Sequence, residues 1–133
     1  MNPWAVLPPH ITVHHKRLVS HAGVTDGHET IWLDDRLTEV EQRCALAHEL
    51  VHLAEGHVGH QPPAVEEKVR ASTARLLIPF SKLWAVRHWQ GSVHGLAGDL
   101  GVTPAVLRDR MRWATHAELD ILQTRHWDMA GEC

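Results

Sequence analysis

The chain has 133 residues, 44% of them apolar and 22% charged, which suits one domain built around a single core. A formal net charge of −3 argues against a protein whose main task is gripping nucleic acid, while leaving room for a local basic face. The start does not resemble a signal peptide, no stretch nears the roughly 18 apolar residues of a membrane span, and Cys44 and Cys133 make no disulfide framework, so the expected setting is a reducing cytoplasm.

Residues 1–10 read as an extended lead-in. The run ITVHHKRLVSHAGVTDGHETIWLDD then reads as strands. Ile11-Thr12-Val13 and Leu18-Val19 are short β-branched or apolar runs, and Asp26-Gly27 offers a turn because glycine takes positive φ readily. In the last strand, about residues 29–34, Thr30 and Trp32 point one way and Ile31 and Leu33 the other. The expected sheet is small and antiparallel, with about three strands.

Helices follow. Thr38 with Glu41 three residues on forms a capping box, and Val40, Cys44, Ala47, Leu50, Val51 and Ala54 recur at helical spacing until Gly56. Pro62-Pro63 forbids helix in the loop beyond. A second helix is expected from about Ala64 to Pro79, with Val65, Val69, Thr73, Leu76 and Leu77 on one side, and a third element over about residues 80–89. Residues 94–113 resemble a helix-turn-helix, with Gly101 ending one helix and Val102-Thr103-Pro104 turning into the next. A short helix from about Glu118 and a frayed tail complete a single domain over residues 1–133, of α+β class.

Within the first helix, His48, Glu49 and His52 spell H-E-x-x-H. Residues four apart stand one turn above each other, so both imidazoles can address one cation, while Glu49 lies about 100° around, where it can polarise the cation's water. With 13 histidines in the chain, three letters alone could be chance. The neighbours decide: Leu46, Ala47, Leu50, Val51, Leu53 and Ala54 are uncharged, and three ionisable groups among them are costly to bury unless an ion such as zinc satisfies them. A catalytic zinc takes three protein ligands, and the next helix offers Glu66 and Glu67. Periodicity does not choose between the two. Cys44, one turn before His48, reads as a small buried residue of the stripe. His10, His14, His15, His57 and His60 read as solvated side chains rather than a second metal site.

The run AHELVHLAEGH followed by VEEKVRASTARLLIP resembles the ImmA/IrrE-type zinc metallopeptidases, over about residues 28–112 and most closely over 45–79. In that family an AHELGH-like helix precedes one with the pattern E-x-E-A-x-x-F-A-A-x-L-L-x-P. Leu76-Leu77-Ile78-Pro79 matches its end, and counting back places the first glutamate at Glu66. The resemblance therefore implies a zincin-like fold in which His48, His52 and Glu66 hold Zn2+ and Glu49 is the catalytic base. It implies a protein or peptide substrate, a helix-turn-helix repressor of a phage or mobile element. The chain departs from the pattern at Lys68, where a second acidic residue is common, at Arg70, a frequent Asn or Asp, and at Ser72, a usual aromatic. Cations beside the site are expected to weaken the metal.

For the reaction, the strand residues Thr30, Ile31, Trp32 and Leu33 are the candidate edge that receives an extended peptide by β-addition. With no tyrosine in the chain, a histidine such as His57, His60, His88 or His94 must supply any oxyanion donor besides the metal. Arg108, Arg110 and Arg112 are the candidate nucleic-acid contacts of the helix-turn-helix-like segment, although Asp99 and Asp109 dilute its charge and packing on the peptidase body is the favoured reading. The main alternative function is a non-catalytic, zinc-containing regulator or interaction protein acting through residues 94–113.

Overall fold

A computed structural model of the protein describes residues 1–123, and the tail with Cys133 lies outside them. Three strands precede six helices: β1 (Thr12–Lys16), β2 (Gly23–Thr25), β3 (Thr30–Asp34), α1 (Glu39–Ala54), α2 (Pro63–Leu77), α3 (Phe80–Ala85), α4 (Val93–Leu100), α5 (Pro104–Arg112) and α6 (His116–Gln123). The α+β arrangement agrees with the sequence, but the sheet is mixed rather than antiparallel. Its order is β1-β3-β2, with β1 parallel to β3 and β2 antiparallel to it. Leu18-Val19 forms no strand. Residues 17–22 carry the chain across the end of the sheet, so that β3 can slot between the first two strands. In that crossing Leu18 is buried, its carbonyl accepts from the Arg36 guanidinium at 2.7 Å, and Val19 is fully exposed.

The β2–β3 hairpin is built by its turn. The Asp26 carboxylate accepts from the backbone N–H groups of His28, Glu29 and Thr30 at 2.8, 3.0 and 3.0 Å. Those amides, that of Thr30 foremost, hold the carboxyl down at about 2. Gly27 takes φ +81, as the Asp-Gly pair required. Alternation in β3 is as read: Ile31 and Leu33 are completely buried while Thr30 and Trp32 are half-buried.

The capping box of α1 is complete. Thr38 Oγ1 accepts from Glu41 N at 3.2 Å, and Glu41 Oε1 accepts from Thr38 N at 2.9 Å. This helix is buried on two faces, which explains why its apolar stripe is broad. Ala45 and Leu46 join Ile11, Ile31 and Leu33 in a cluster under the sheet. Cys44 and Ala47 join Leu77, Ile78, Leu83, Leu96, Leu107 and Leu122 in a second cluster among the helices. Thus α1 lies between sheet and helical body, and whatever it carries on its remaining face is held rigidly from both sides. The segment α4–α5 contributes Val93, Leu96, Ala97, Val102 and Leu107 to that second cluster, so it is packed on the helical body.

Arg110 corrects the sequence reading. It was a candidate nucleic-acid contact, yet it is 1% exposed, donates to the Ile78 carbonyl at 2.6 Å and holds both carboxylate oxygens of Glu118 at 3.1 and 2.6 Å. A guanidinium has five N–H donors in a planar fork, and here they tie α5, the end of α2 and α6 together. Arg108 and Arg112 are exposed, but Arg112 lies over the Trp113 ring and 4.0 Å from Glu67. The three arginines do not form one face.

Candidate metal centre

The last two turns of α1 and the first turns of α2 build the site. Pro62 and Pro63 set the entry of α2, placing Glu66 in its first turn opposite the histidines. Glu66 Oε2 lies 3.3 Å from His48 Nε2 and 3.3 Å from His52 Nε2, with its other oxygen 3.1 Å from His52 Nε2. Metal–ligand bonds of about 2.0–2.1 Å in a tetrahedron put ligand atoms about 3.3 Å apart. The donor set and its spacing therefore fit a small tetrahedral divalent ion. Glu67, the alternative left open by periodicity, is exposed and turned toward Arg112.

Glu49 is 5% exposed, and its carboxylate comes within 4.8 Å of the His48 and His52 donor atoms. Burial pushes its carboxyl up to about 7, and the charge of Glu66 adds to the shift. Burial likewise holds the His48 imidazole below its usual range, with His52 beside it, against the pull of Glu66. A neutral imidazole has the free lone pair that metal ligation needs. No second cluster of three such donors forms among the described residues. His15 instead faces Gln42 at 3.2 Å and stacks with Trp4.

A cleft of about 360 Å³ opens on these groups, lined also by His21, Gly23, Val24, Thr25, His57, Gly59 and His60. A second, of about 350 Å³, shares His21, Gly23, His48 and Glu49 and continues past Leu37, Glu41, Cys44, Ala45 and Thr103. The two clefts meet at Gly23 of β2 and at His48 and Glu49 of α1. This corrects the substrate-edge reading. Thr30, Ile31, Trp32 and Leu33 lie in β3, the central strand, whose backbone is paired on both sides. The outer strand over the site is β2, which no apolar run announces because it is three residues of Gly23, Val24 and Thr25.

Of the histidines named as oxyanion donors, His57 and His60 line the first cleft, whereas His88 and His94 line neither cleft. His21 lines both and went unnoticed in the sequence. It sits in the crossing loop, and only the sheet order brings that loop over α1. Arg70 lies over the Trp113 ring, 5.7 Å from its centroid, and its charge reaches His48. Lys68 is exposed and lines neither cleft. Cys44 is buried, and burial pushes its thiol up, away from the reactive thiolate.

No helix among the described residues is long and apolar enough to cross a membrane. No curated protein and no solved structure matches the chain. The family model of the IrrE N-terminal-like domain, peptidase family M78, matches residues 9–112, from the first strand to the end of α5. With that match added to an H-E-x-x-H helix and a facing glutamate, the chain belongs to the M78 family of metallopeptidases, as an IrrE N-terminal-like domain.

Proposed function

We propose that the protein is a zinc-dependent endopeptidase in which His48, His52 and Glu66 hold the metal and Glu49 is the acid–base group. The observation that carries this reading is the placement of Glu66 Oε2 at 3.3 Å from both imidazole Nε2 atoms, with the buried Glu49 beside them. Zinc bound there supplies Lewis-acid activation of water and of the scissile carbonyl. Glu49, buried beside the two imidazoles, is the group placed to take a proton from the attacking water and to pass it to the leaving amine. An extended peptide fits along the free edge of β2, where Gly23, Val24 and Thr25 offer backbone groups and side chains of the peptide reach the clefts on either side of Glu49. His21, His57 and His60 are the donors available to a developing oxyanion.

The substrate proposed is a regulatory protein, a helix-turn-helix repressor of a phage or mobile element, on the strength of the ImmA/IrrE resemblance. The alternative of a DNA-binding regulator without catalysis draws less support, because Arg110 is a buried strut and α4–α5 are packed into the helical core. Zinc content and peptide-library cleavage read by mass spectrometry test the proposal. Wild type should bind one equivalent of zinc and cleave in a chelator-sensitive way, and Glu49→Gln should bind zinc and not cleave. Equal cleavage by Glu49→Gln would refute the mechanism.

A further inference from the structure

His57 has no part in the ligand set, yet it touches it. Its Nδ1 lies 3.0 Å from the Nδ1 of His52, and the two rings meet edge to face with centroids 5.2 Å apart. His52 is 6% exposed, so both of its ring nitrogens need partners. Nε2 faces Glu66, and Nδ1 faces His57.

The backbone puts His57 there by design of the helix end. Gly56 takes φ +73, a left-handed conformation that glycine adopts without penalty. Gly56 N then donates to the Leu53 carbonyl at 3.1 Å, and His57 N donates to the carbonyl of His52 itself at 3.0 Å. This closure of α1 folds residue 57 back onto residue 52. From the other side the β2–β3 turn presses on the same loop. A Cβ on Gly27 would stand 2.8 Å from the His57 carbonyl oxygen and 2.7 Å from Val58 Cγ2. The hairpin and the helix end together fix where the imidazole sits.

We propose that His57 is a positioning residue for the metal centre: its Nδ1 accepts the Nδ1–H of His52, which fixes the tautomer and ring plane of His52 and leaves the Nε2 lone pair for the metal. The inference rests on the metal-ligand reading above. A ligating histidine commonly gives its second N–H to a carboxylate or a carbonyl, and loss of such a partner costs about 10- to 100-fold in metal affinity. Here another imidazole fills that place, its own proton carried on Nε2 toward the cleft. No net negative charge is added behind the ligand.

The test is zinc affinity by chelator competition, together with the visible absorption spectrum of the cobalt-substituted protein. The variants are His57→Ala, His57→Phe and His57→Asn, with metal-free thermal melts to show that each folds. Alanine removes the acceptor, phenylalanine keeps a ring without one, and asparagine restores an acceptor oxygen. The expected result is a loss of about 10- to 100-fold in zinc affinity and an altered cobalt spectrum for alanine and phenylalanine, with asparagine recovering most of both. Wild-type affinity in the alanine and phenylalanine variants overturns the proposal. So does an asparagine variant as weak as phenylalanine, since packing rather than the acceptor would then matter. Zinc-free wild type would overturn the metal centre itself along with it, whereas zinc uptake indifferent to residue 57 would remove this inference alone.

Discussion

A Cβ placed on Gly23 would stand 3.2 Å from Cγ of Glu49. The same Cβ would meet Leu33 Cδ2 at 3.2 Å, and Leu33 is completely buried and has nowhere to go. The outer strand β2 therefore lies directly on Glu49, the proposed acid–base group, whose side chain is the one able to give way. Gly23→Ala should shift the carboxyl by a few tenths of an ångström and Gly23→Val by more. Peptide cleavage should fall by roughly 10- to 100-fold in the valine variant, with zinc content unchanged. Full activity in Gly23→Val would show that Glu49 does not depend on this contact.

The choice of third ligand is tested by zinc content in two single variants. Glu66→Ala removes an oxygen that touches both histidines, and it should leave the purified protein with little zinc. Glu67→Ala loses only a long contact to Arg112 and should bind zinc as wild type does. The reverse pattern would move the site to Glu67.

Arg110 and Glu118 predict an acid-sensitive lock on the helical body. The hydrogen bonds from Arg110 hold the Glu118 carboxyl down at about 2, against an ordinary value of 4.5. A lowered carboxyl stabilises the fold above the unfolded value, so the contribution is complete near neutral pH and fades as pH falls from about 4.5 through 2. Glu118→Gln should lose about 3 kcal/mol at pH 7, because Arg110 is left buried without its counter-charge. Denaturant titrations of both proteins should converge on acidification. A gap that stays constant to pH 2.5 would contradict the assignment.

Thr38→Ala should cost about 1 kcal/mol by breaking one half of the capping box on α1. The lesion is more than 10 Å from His48 along the helix, at about 1.5 Å per residue, so zinc affinity should change little while the melting temperature drops. A large loss of zinc would mean that the first turn of α1 is coupled to its last.

Much of the site was legible because its chemistry is local. His48, Glu49 and His52 sit on one helix whose cap and stripe are written in the same stretch of sequence, and helical geometry alone brings the two imidazoles together. Glu66 against Glu67 was not settled by periodicity, since each shares a helix face with both uncharged and charged residues. The family pattern named Glu66, and the crossing of α2 over α1 turns it toward the histidines. Arg110 misled because three arginines at alternate positions look alike in sequence, while the helix turns the middle one away from the other two and buries it.

The sheet shows the other side of this division. The first and last strands were read where they lie and the middle one was misplaced, and neither the parallel pairing of β1 with β3 nor the outer place of β2 follows from alternation, which reports which face of a strand is buried and nothing about which strand lies beside it. That neighbour order decides that β2 rather than β3 borders the cleft, and it brings His21 and Gly23 over Glu49. By itself the sequence determined the helices, the H-E-x-x-H cluster and the kinship to a metallopeptidase family, because those depend on residues a few positions apart. Tertiary structure alone decided which strand borders the cleft, the burial of Arg110 and the meeting of Glu66 with the two histidines, because each depends on how separate segments meet in space.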